Sequence, residues 1–142
     1  MFISRLSAYA ACATLAFIAC SSSPVTETTG FTAPPLATST SSSGSLHVDV
    51  RTSPQPPVES IMQAELTITD AMGKPVDGLT FSVVPWMPAM GHGTSLVPTV
   101  TPMGKGTYAV GDLSLFMPGE WELRLTFSGS TSDTANPVFD VP

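Results

Sequence analysis

Residues 121–127 read WELRLTF, and this stretch decides the fold class. Trp121 and every second residue up to Phe127 are apolar, whereas the residues between them are polar or charged. A period of two places alternate side chains on opposite faces of a β-strand. The stretch is therefore predicted to be a half-buried strand with Trp121 in the core.

The same alternation recurs along the chain on both sides of this stretch. It is clear in residues 46–51, 62–69, 79–83 and 113–117, and weaker near 94–100, 107–110 and 138–141. Pro85 and Pro88 are predicted to end the third of these strands, because proline cannot donate a backbone hydrogen bond. About seven short strands in residues 46–142, with no helical periodicity, predict an antiparallel β-sandwich. The aromatic residues expected at its centre are Trp86, Tyr108, Trp121 and the phenylalanines.

Composition bounds the class of protein. The chain has 142 residues, which is room for one domain of the usual size. Charged residues make up only 11%, and the formal net charge is −6. A nucleic-acid partner would require a basic face, so none is expected. Both cysteines lie in the first twenty residues, which excludes a disulfide framework in the rest of the chain.

The N-terminus has the features of a secretory signal. Arg5 is its one charged residue, and residues 6–19 form an uncharged stretch that is too short to span a membrane. The stretch ends in Phe17-Ile18-Ala19-Cys20, which resembles the bacterial lipobox. The resemblance implies a lipoprotein signal peptide at residues 1–19, cleavage before Cys20 and acylation of Cys20. Two or more acyl chains would give stable membrane attachment.

This reading implies a lipid-anchored protein of the cell envelope, at the outer membrane where the cell has one. The alternative is an ordinary secretory signal, cut after Ala10 or Ala19. Residues 21–45 contain fourteen Ser or Thr and one charge, Glu27. Residues 20–45 are therefore predicted to be a lipidated cysteine with a disordered linker. The folded domain is predicted to comprise residues 46–142.

Three short motifs resemble the YtkA-like domain. They are MPAMGH at 87–92, GTY at 106–108 and MPGEWEL at 117–123. The resemblance spans roughly residues 46–142 and implies an immunoglobulin-like fold related to the FixH accessory proteins of cytochrome oxidase assembly. It also implies an extracytoplasmic, often membrane-attached protein that handles copper.

The first of these motifs contains a candidate metal site. Met87, Met90 and His92 lie within six residues, on a segment that the prolines are expected to keep out of regular strand pairing. Thioether sulfur is a soft ligand suited to Cu(I), and imidazole binds either oxidation state of copper. The family resemblance adds Met117 as a further ligand. The alternative is that the methionines fill gaps in the core and that His92 is a solvated loop residue.

Two functions remain open at this stage. The first is an envelope lipoprotein that binds copper through Met87, Met90, His92 and Met117, in copper handling or oxidase assembly. The second is a metal-free, immunoglobulin-like interaction module, tethered to the membrane through Cys20 and bound to an envelope protein. An enzyme is not expected, because the mature chain would have no free thiol and only two histidines.

Overall fold

The computed structural model describes residues 30–142, and ten β-strands run through them. They are β1 (Ala37–Thr40), β2 (Leu46–Ser53), β3 (Ser60–Asp70), β4 (Thr80–Met87), β5 (His92–Gly93), β6 (Thr99–Gly104), β7 (Thr107–Leu115), β8 (Gly119–Ser128), β9 (Asp133–Ala135) and β10 (Val138–Val141). The predicted signal peptide, residues 1–19, and Cys20 lie outside the described residues. Among residues 30–142, no helix is long and apolar enough to cross a membrane.

The strands form two antiparallel sheets that enclose one core. The first sheet has the order β1-β2-β3-β7-β6. The second has the order β10-β8-β4-β5. Strand β9 pairs with the same edge of β8 as β10 does, but it pairs with residues 125–127, whereas β10 pairs with residues 119–122. The predicted fold class, an immunoglobulin-like antiparallel β-sandwich, is confirmed, with ten strands in the described residues instead of the predicted seven or so.

The stretch that predicts the fold forms the middle of the second sheet. Strand β8 pairs with β4 on one side and with β10 and β9 on the other. Its alternate residues from Trp121 to Phe127 are at most 2% exposed. These side chains pack against the alternating apolar residues of β2, β3 and β7. The core therefore consists mainly of residues that alternate along the strands.

The sandwich has two ends of different chemistry. The methionine end comprises the β2–β3 connection (54–59), the β4–β5 turn (88–91) and the β7–β8 connection (116–118). The tyrosine end comprises the β1–β2 turn (41–45), the β3–β4 connection (71–79) and the β6–β7 turn (105–106). The antiparallel registers place these connections at opposite ends of the strands.

Tyr108 secures the tyrosine end. Its buried hydroxyl donates to the Val76 carbonyl at 2.8 Å and accepts from the Leu79 amide at 3.1 Å. Beside it, the Gly106 amide donates to Asp77 Oδ1 at 2.7 Å. A Cβ on Gly106 would lie 2.5 Å from the Ile68 carbonyl oxygen, so only glycine fits there. The Gly-x-Tyr motif thus closes the β3–β4 connection over the core.

The first strand lies earlier in the chain than predicted. Residues 37–40 fall in the predicted disordered linker, yet they form β1 and pair with β2 from Ala37↔Val50 to Thr40↔His47. The boundary at residue 46 is therefore corrected. The serine-rich composition has a structural role here, because these serines build the β1–β2 turn and its hydrogen bonds.

A single carboxylate organises that turn. Asp133 of β9 accepts hydrogen bonds from the hydroxyls of Ser43 and Ser45, at 2.5 and 3.2 Å, and from the Ser43 amide at 3.2 Å. The hydroxyls of Ser41 and Ser43 hold the pKa of Asp133 well below its usual range, since they stabilise the charged form. The turn is thereby fixed to the second sheet.

Of the two prolines expected to end strand β4, Pro88 directly follows its last residue, but Pro85 does not interrupt it. Strand β4 continues through Pro85 to Met87. At Pro85 the strand pairs only with β8, because β5 covers no more than Trp86 and Met87. A residue on a free edge needs no amide to donate, so proline is tolerated there. The strand expected near residues 94–100 is instead β6, which begins at Thr99.

Candidate metal site

The candidate ligands Met87 and His92 are partners across a tight hairpin. They are paired in the register between β4 and β5, so their side chains lie on the same face of the sheet. The segment therefore does form paired strand, contrary to expectation. The Gly91 amide donates to the Met87 carbonyl at 3.0 Å, and Gly91 has a φ of 68°, which closes the turn. This geometry brings a thioether and an imidazole to one corner.

Met87 faces the core at this corner. It is 6% exposed, and it is the last inward-facing residue of β4. Its terminal methyl group lies over Gly119, where an added Cβ would approach it to 2.9 Å. The first residue of β8 is thus kept small beside the Met87 thioether.

Met117 joins the same corner through the β7–β8 connection. Its backbone carbonyl accepts a 2.9 Å hydrogen bond from Nε1 of the buried Trp121. Its side chain is half-buried and packs against the core. Gly119 lies between Met117 and Trp121 in the chain. The MPGEW motif therefore places Met117 two residues before Gly119, the residue over which the Met87 methyl group lies.

An aromatic contact positions His92. Its ring stacks on Phe116, with 5.9 Å between centroids and an interplanar angle of 6°. Phe116 in turn makes an edge contact with Trp121 at 5.5 Å. The imidazole therefore lies over the β7–β8 connection, although the residue itself is exposed.

The hydrogen bonding of His92 favours one nitrogen as a ligand. Nδ1 lies 3.2 Å from the Gly93 carbonyl oxygen. A carbonyl can only accept, so this contact places the proton on Nδ1 and leaves the Nε2 lone pair available. Metal-binding histidines are commonly oriented by such a bond to the other nitrogen.

Met90 is placed differently from the other candidates. It occupies the turn itself, and it is 56% exposed. Its amide donates to the Met87 carbonyl at 3.1 Å, which fixes the backbone while the side chain extends into solvent. Of the four predicted ligands, Met87 and His92 are cross-strand partners, Met117 lies in the β7–β8 connection at the same end, and Met90 is exposed on the turn.

The donor set is soft and uncharged. Within residues 30–142, no group of three His, Cys, Asp or Glu side chains is placed to hold a metal ion. Three thioethers and one imidazole match Cu(I), whereas zinc, calcium and magnesium sites are built mainly from thiolates, carboxylates or several imidazoles. The chemistry available at this corner therefore fits Cu(I).

Two further surfaces lie away from this corner. A shallow polar groove of about 380 Å³ crosses the outer face of the first sheet and is lined by Thr38, Ser39, Thr40, His47, Asp49 and Thr69. On the outer face of the second sheet, the Arg124 guanidinium lies 4.2 Å above the Trp86 ring and bonds Glu122 at 3.1 Å. Trp86, expected in the core, therefore lies on the outer face and is half-buried there.

Sequence reasoning missed two residues of the corner. Phe116 follows the last residue of β7, where the alternation ends, so nothing in the pattern marks it as the partner of His92. Gly119 is part of a recognised motif, but its contact with the Met87 methyl group depends on the register between β4 and β8. Tyr108 and Trp121 lie in the core, at 1% and 0% exposure.

Comparison with known proteins identifies one family. A model of the YtkA-like family matches residues 40–126, which is more than half of the chain. The match starts at the end of β1 and includes the β4–β5 hairpin, the Gly-x-Tyr motif and the MPGEW motif. No curated protein and no solved structure matches the chain.

Proposed function

This chain belongs to the YtkA-like family, and from that premise we propose that it is an envelope lipoprotein that binds Cu(I) at the methionine end. Copper is cargo in this proposal, and the protein's role is binding rather than catalysis. Met87, Met117 and Nε2 of His92 form the ligand set. Met90 adds a fourth ligand, the third thioether, from the rim.

The observation that carries the proposal is the cross-strand pairing of Met87 with His92 beside Met117. The three soft donors come from separate elements that meet at the methionine end, where the imidazole of His92 stacks on Phe116. Neutral thioethers need no deprotonation and cannot be lost to disulfides, which suits an oxidising compartment. In this proposal, copper is bound by residues of the MPAMGH and MPGEWEL motifs.

Competition with a chromophoric Cu(I) chelator tests the ligand set on the mature protein in detergent. We expect one Cu(I) per chain. Met87→Leu and Met117→Leu remove the sulfur while nearly conserving volume, so each should weaken affinity about tenfold or more, or at least about 1.4 kcal/mol. Stability in urea should change by less than about 1.5 kcal/mol. His92→Ala should abolish Cu(II) binding, because none of the other candidate ligands supplies an imidazole.

Met72→Leu is the matched control, since Met72 is 94% exposed at the tyrosine end. It should bind Cu(I) like the wild type. If Met87→Leu and Met117→Leu also retain wild-type affinity, these methionines only fill the core, and the copper proposal is wrong.

Membrane attachment is tested separately through Cys20. In cells, Cys20→Ser should lose the palmitate label and leave the membrane fraction, because acyl chains provide stable anchoring. A mutant that remains in washed membranes would contradict the lipid anchor but would leave the copper result unaffected.

The outer face of the second sheet supports a second candidate, a protein-interaction module. Trp86 and Arg124 are stacked there, beside Val84 and Val138, which are 44% and 45% exposed. Tryptophan and arginine dominate the binding energy of many interfaces. Trp86→Ala with Arg124→Ala should abolish co-purification of an envelope protein without altering Cu(I) affinity. Unchanged co-purification would contradict this role.

A further inference from the structure

The N-terminal segment enters the sandwich at the methionine end. The Arg51 side chain donates to the Ala33 carbonyl at 3.0 Å, and Gln55 donates to the Pro34 carbonyl at 2.8 Å. Gly30 lies beside Ser53, the last residue of β2. The described chain therefore starts next to the β2–β3 connection.

Exposed apolar side chains gather at the same end. Val58, Ile61, Met90 and Phe116 are each 44–62% exposed, and each lies in or next to one of its connections. At the tyrosine end, the described chain exposes two large apolar residues, Met72 and Met103. Apolar side chains of this size are those that insert at the boundary between lipid headgroups and acyl chains.

The distance to Cys20 limits which end can meet the membrane. Gly30 lies ten positions after Cys20, and this length of chain spans at most about 35 Å when fully extended. The eleven residues of β3 cover roughly 35 Å at about 3.3 Å per residue, so the two ends are about that far apart. Contact through the tyrosine end would require the linking segment to be fully stretched along the whole domain.

Charge attracts neither end to anionic lipid. Acidic residues outnumber basic ones at both ends: Asp70, Asp77 and Asp133 against Lys74 and Lys105 at the tyrosine end, and Glu59, Glu120 and Asp140 at the methionine end. Neither end of the described chain carries a basic patch that would bind such lipid. The exposed apolar side chains and the position of the N-terminal segment both favour the methionine end as the one that faces the membrane.

We propose that the methionine end lies against the bilayer surface, with Val58, Ile61 and Phe116 in the headgroup region. The proposed copper site would then open beside the lipid. This inference rests on the proposed acylation of Cys20. It adds an orientation: the domain stands on its methionine end instead of moving freely on a tether. Copper would then be exchanged at the membrane surface.

Site-specific labels on the lipidated mature protein test this orientation. Mature Cys20 is blocked by acylation, so single cysteines can be introduced at Ile61→Cys and, as the matched control, Met72→Cys. Each is labelled with a polarity-sensitive fluorophore and reconstituted in phosphatidylcholine vesicles. We expect position 61 to show blue-shifted emission that brominated lipid quenches, and position 72 to keep its aqueous emission. A second label at Val58→Cys should behave like that at 61.

The outcomes separate the orientation from the anchor. If mass spectrometry shows an acylated Cys20 while positions 58 and 61 stay aqueous, the orientation is overturned and the lipoprotein proposal stands. If position 72 is the quenched one, the domain lies the other way up, which also overturns it. If Cys20 carries no lipid, the proposed anchor fails and the orientation fails with it. Cu(I) affinity measured in detergent is independent of all three results.

Discussion

The two ends of the sandwich are held by different kinds of contact. At the tyrosine end, side chains bond to backbone and to one another: Tyr108 to Val76 and Leu79, Asp77 to Gly106, and serine hydroxyls to Asp133. At the methionine end, the contacts are mainly between apolar groups. Met87 packs on Gly119, and the rings of His92, Phe116 and Trp121 touch in series.

This difference separates stability from binding. Directional hydrogen bonds to buried groups specify one geometry and are costly to break. Thioethers and aromatic rings pack well but tolerate small shifts. A soft, adaptable end is therefore suited to take up a ligand, while the hydrogen-bonded end maintains the fold.

The largest expected effect lies in the core beneath the methionine end. Trp121→Ala removes a fully buried ring and the donor to the Met117 carbonyl. It should lower the free energy of unfolding by about 3–5 kcal/mol in urea titration. Trp86→Ala, on the outer face, is the matched control and should cost clearly less. Equal losses would mean that the buried Trp121 contributes no more to the free energy of unfolding than the half-buried Trp86 does.

A smaller loss is expected from glycine replacement at the tyrosine end. In Gly106→Ala, the new Cβ would lie 2.5 Å from a backbone carbonyl oxygen, at a φ of 70°. Gly104→Ala has a similar φ of 85° but open space around it. We expect about 1–2 kcal/mol for Gly104→Ala from backbone strain alone and roughly 1 kcal/mol more for Gly106→Ala. If both variants unfold at the same urea concentration, the close approach of Ile68 is unimportant.

Gly119→Ala sharpens the comparison between the ends, since its Cβ would meet a flexible side chain instead of backbone. Gly119 has a φ of 118°, which strains any side chain, but Met87 can move its methyl group, so the clash itself should cost less than the one in Gly106→Ala. The same movement should change Cu(I) affinity, measured by chelator competition, whereas Gly106→Ala should leave it unchanged. The reverse pattern would place the binding site at the tyrosine end.

Tyr108→Phe should have an intermediate effect. It keeps the ring but leaves the Val76 carbonyl and the Leu79 amide without their partner. Losing these bonds should cost about 1–2 kcal/mol in urea unfolding. Phe81, which makes an edge contact with the Tyr108 ring at 5.1 Å, keeps its neighbour in this variant. A loss near zero would show that the hydroxyl does not secure this end.

The smallest effect is expected at Asp133, and it depends on pH. Its pKa is lowered from the ordinary 3.8 on folding, so its bonds to the serines stabilise the fold fully above about pH 4. That contribution declines as the pH falls below 3.8 toward the folded-state pKa. Asp133→Asn should lower stability modestly at pH 7, and the gap to the wild type should narrow in acid. A gap that widens in acid would contradict this account.

Periodicity predicted the parts of the fold that bury one face. Strand β8 and the regular parts of β3 and β7 alternate strictly, so their existence and their inward residues could be read from residue order. Strand β1 could not, because its four residues are small or hydroxylated, and a partner of its turn, Asp133, lies about ninety residues away. Composition alone made that segment look like a linker.

The candidate site was predictable in its chemistry but not in its arrangement. Met87, Met90 and His92 stand out by type and spacing. Which of them meet depends on the four-residue turn that pairs Met87 with His92, and the prolines suggested no such pairing. Phe116 and Gly119 enter through contacts between different strands, which a single sequence does not reveal.

The pairing of β1 with β2 also determines how the domain resists a pull. Residue 30 lies near the far end of β2, and β1 runs back along that strand in a four-residue register. A force drawing the N-terminus away from the methionine end would act along β1, at right angles to its hydrogen bonds. Such a load is shared by all the bonds at once instead of opening them one by one. The short strand β1 would therefore serve as a mechanical clamp between the domain and whatever holds its N-terminus.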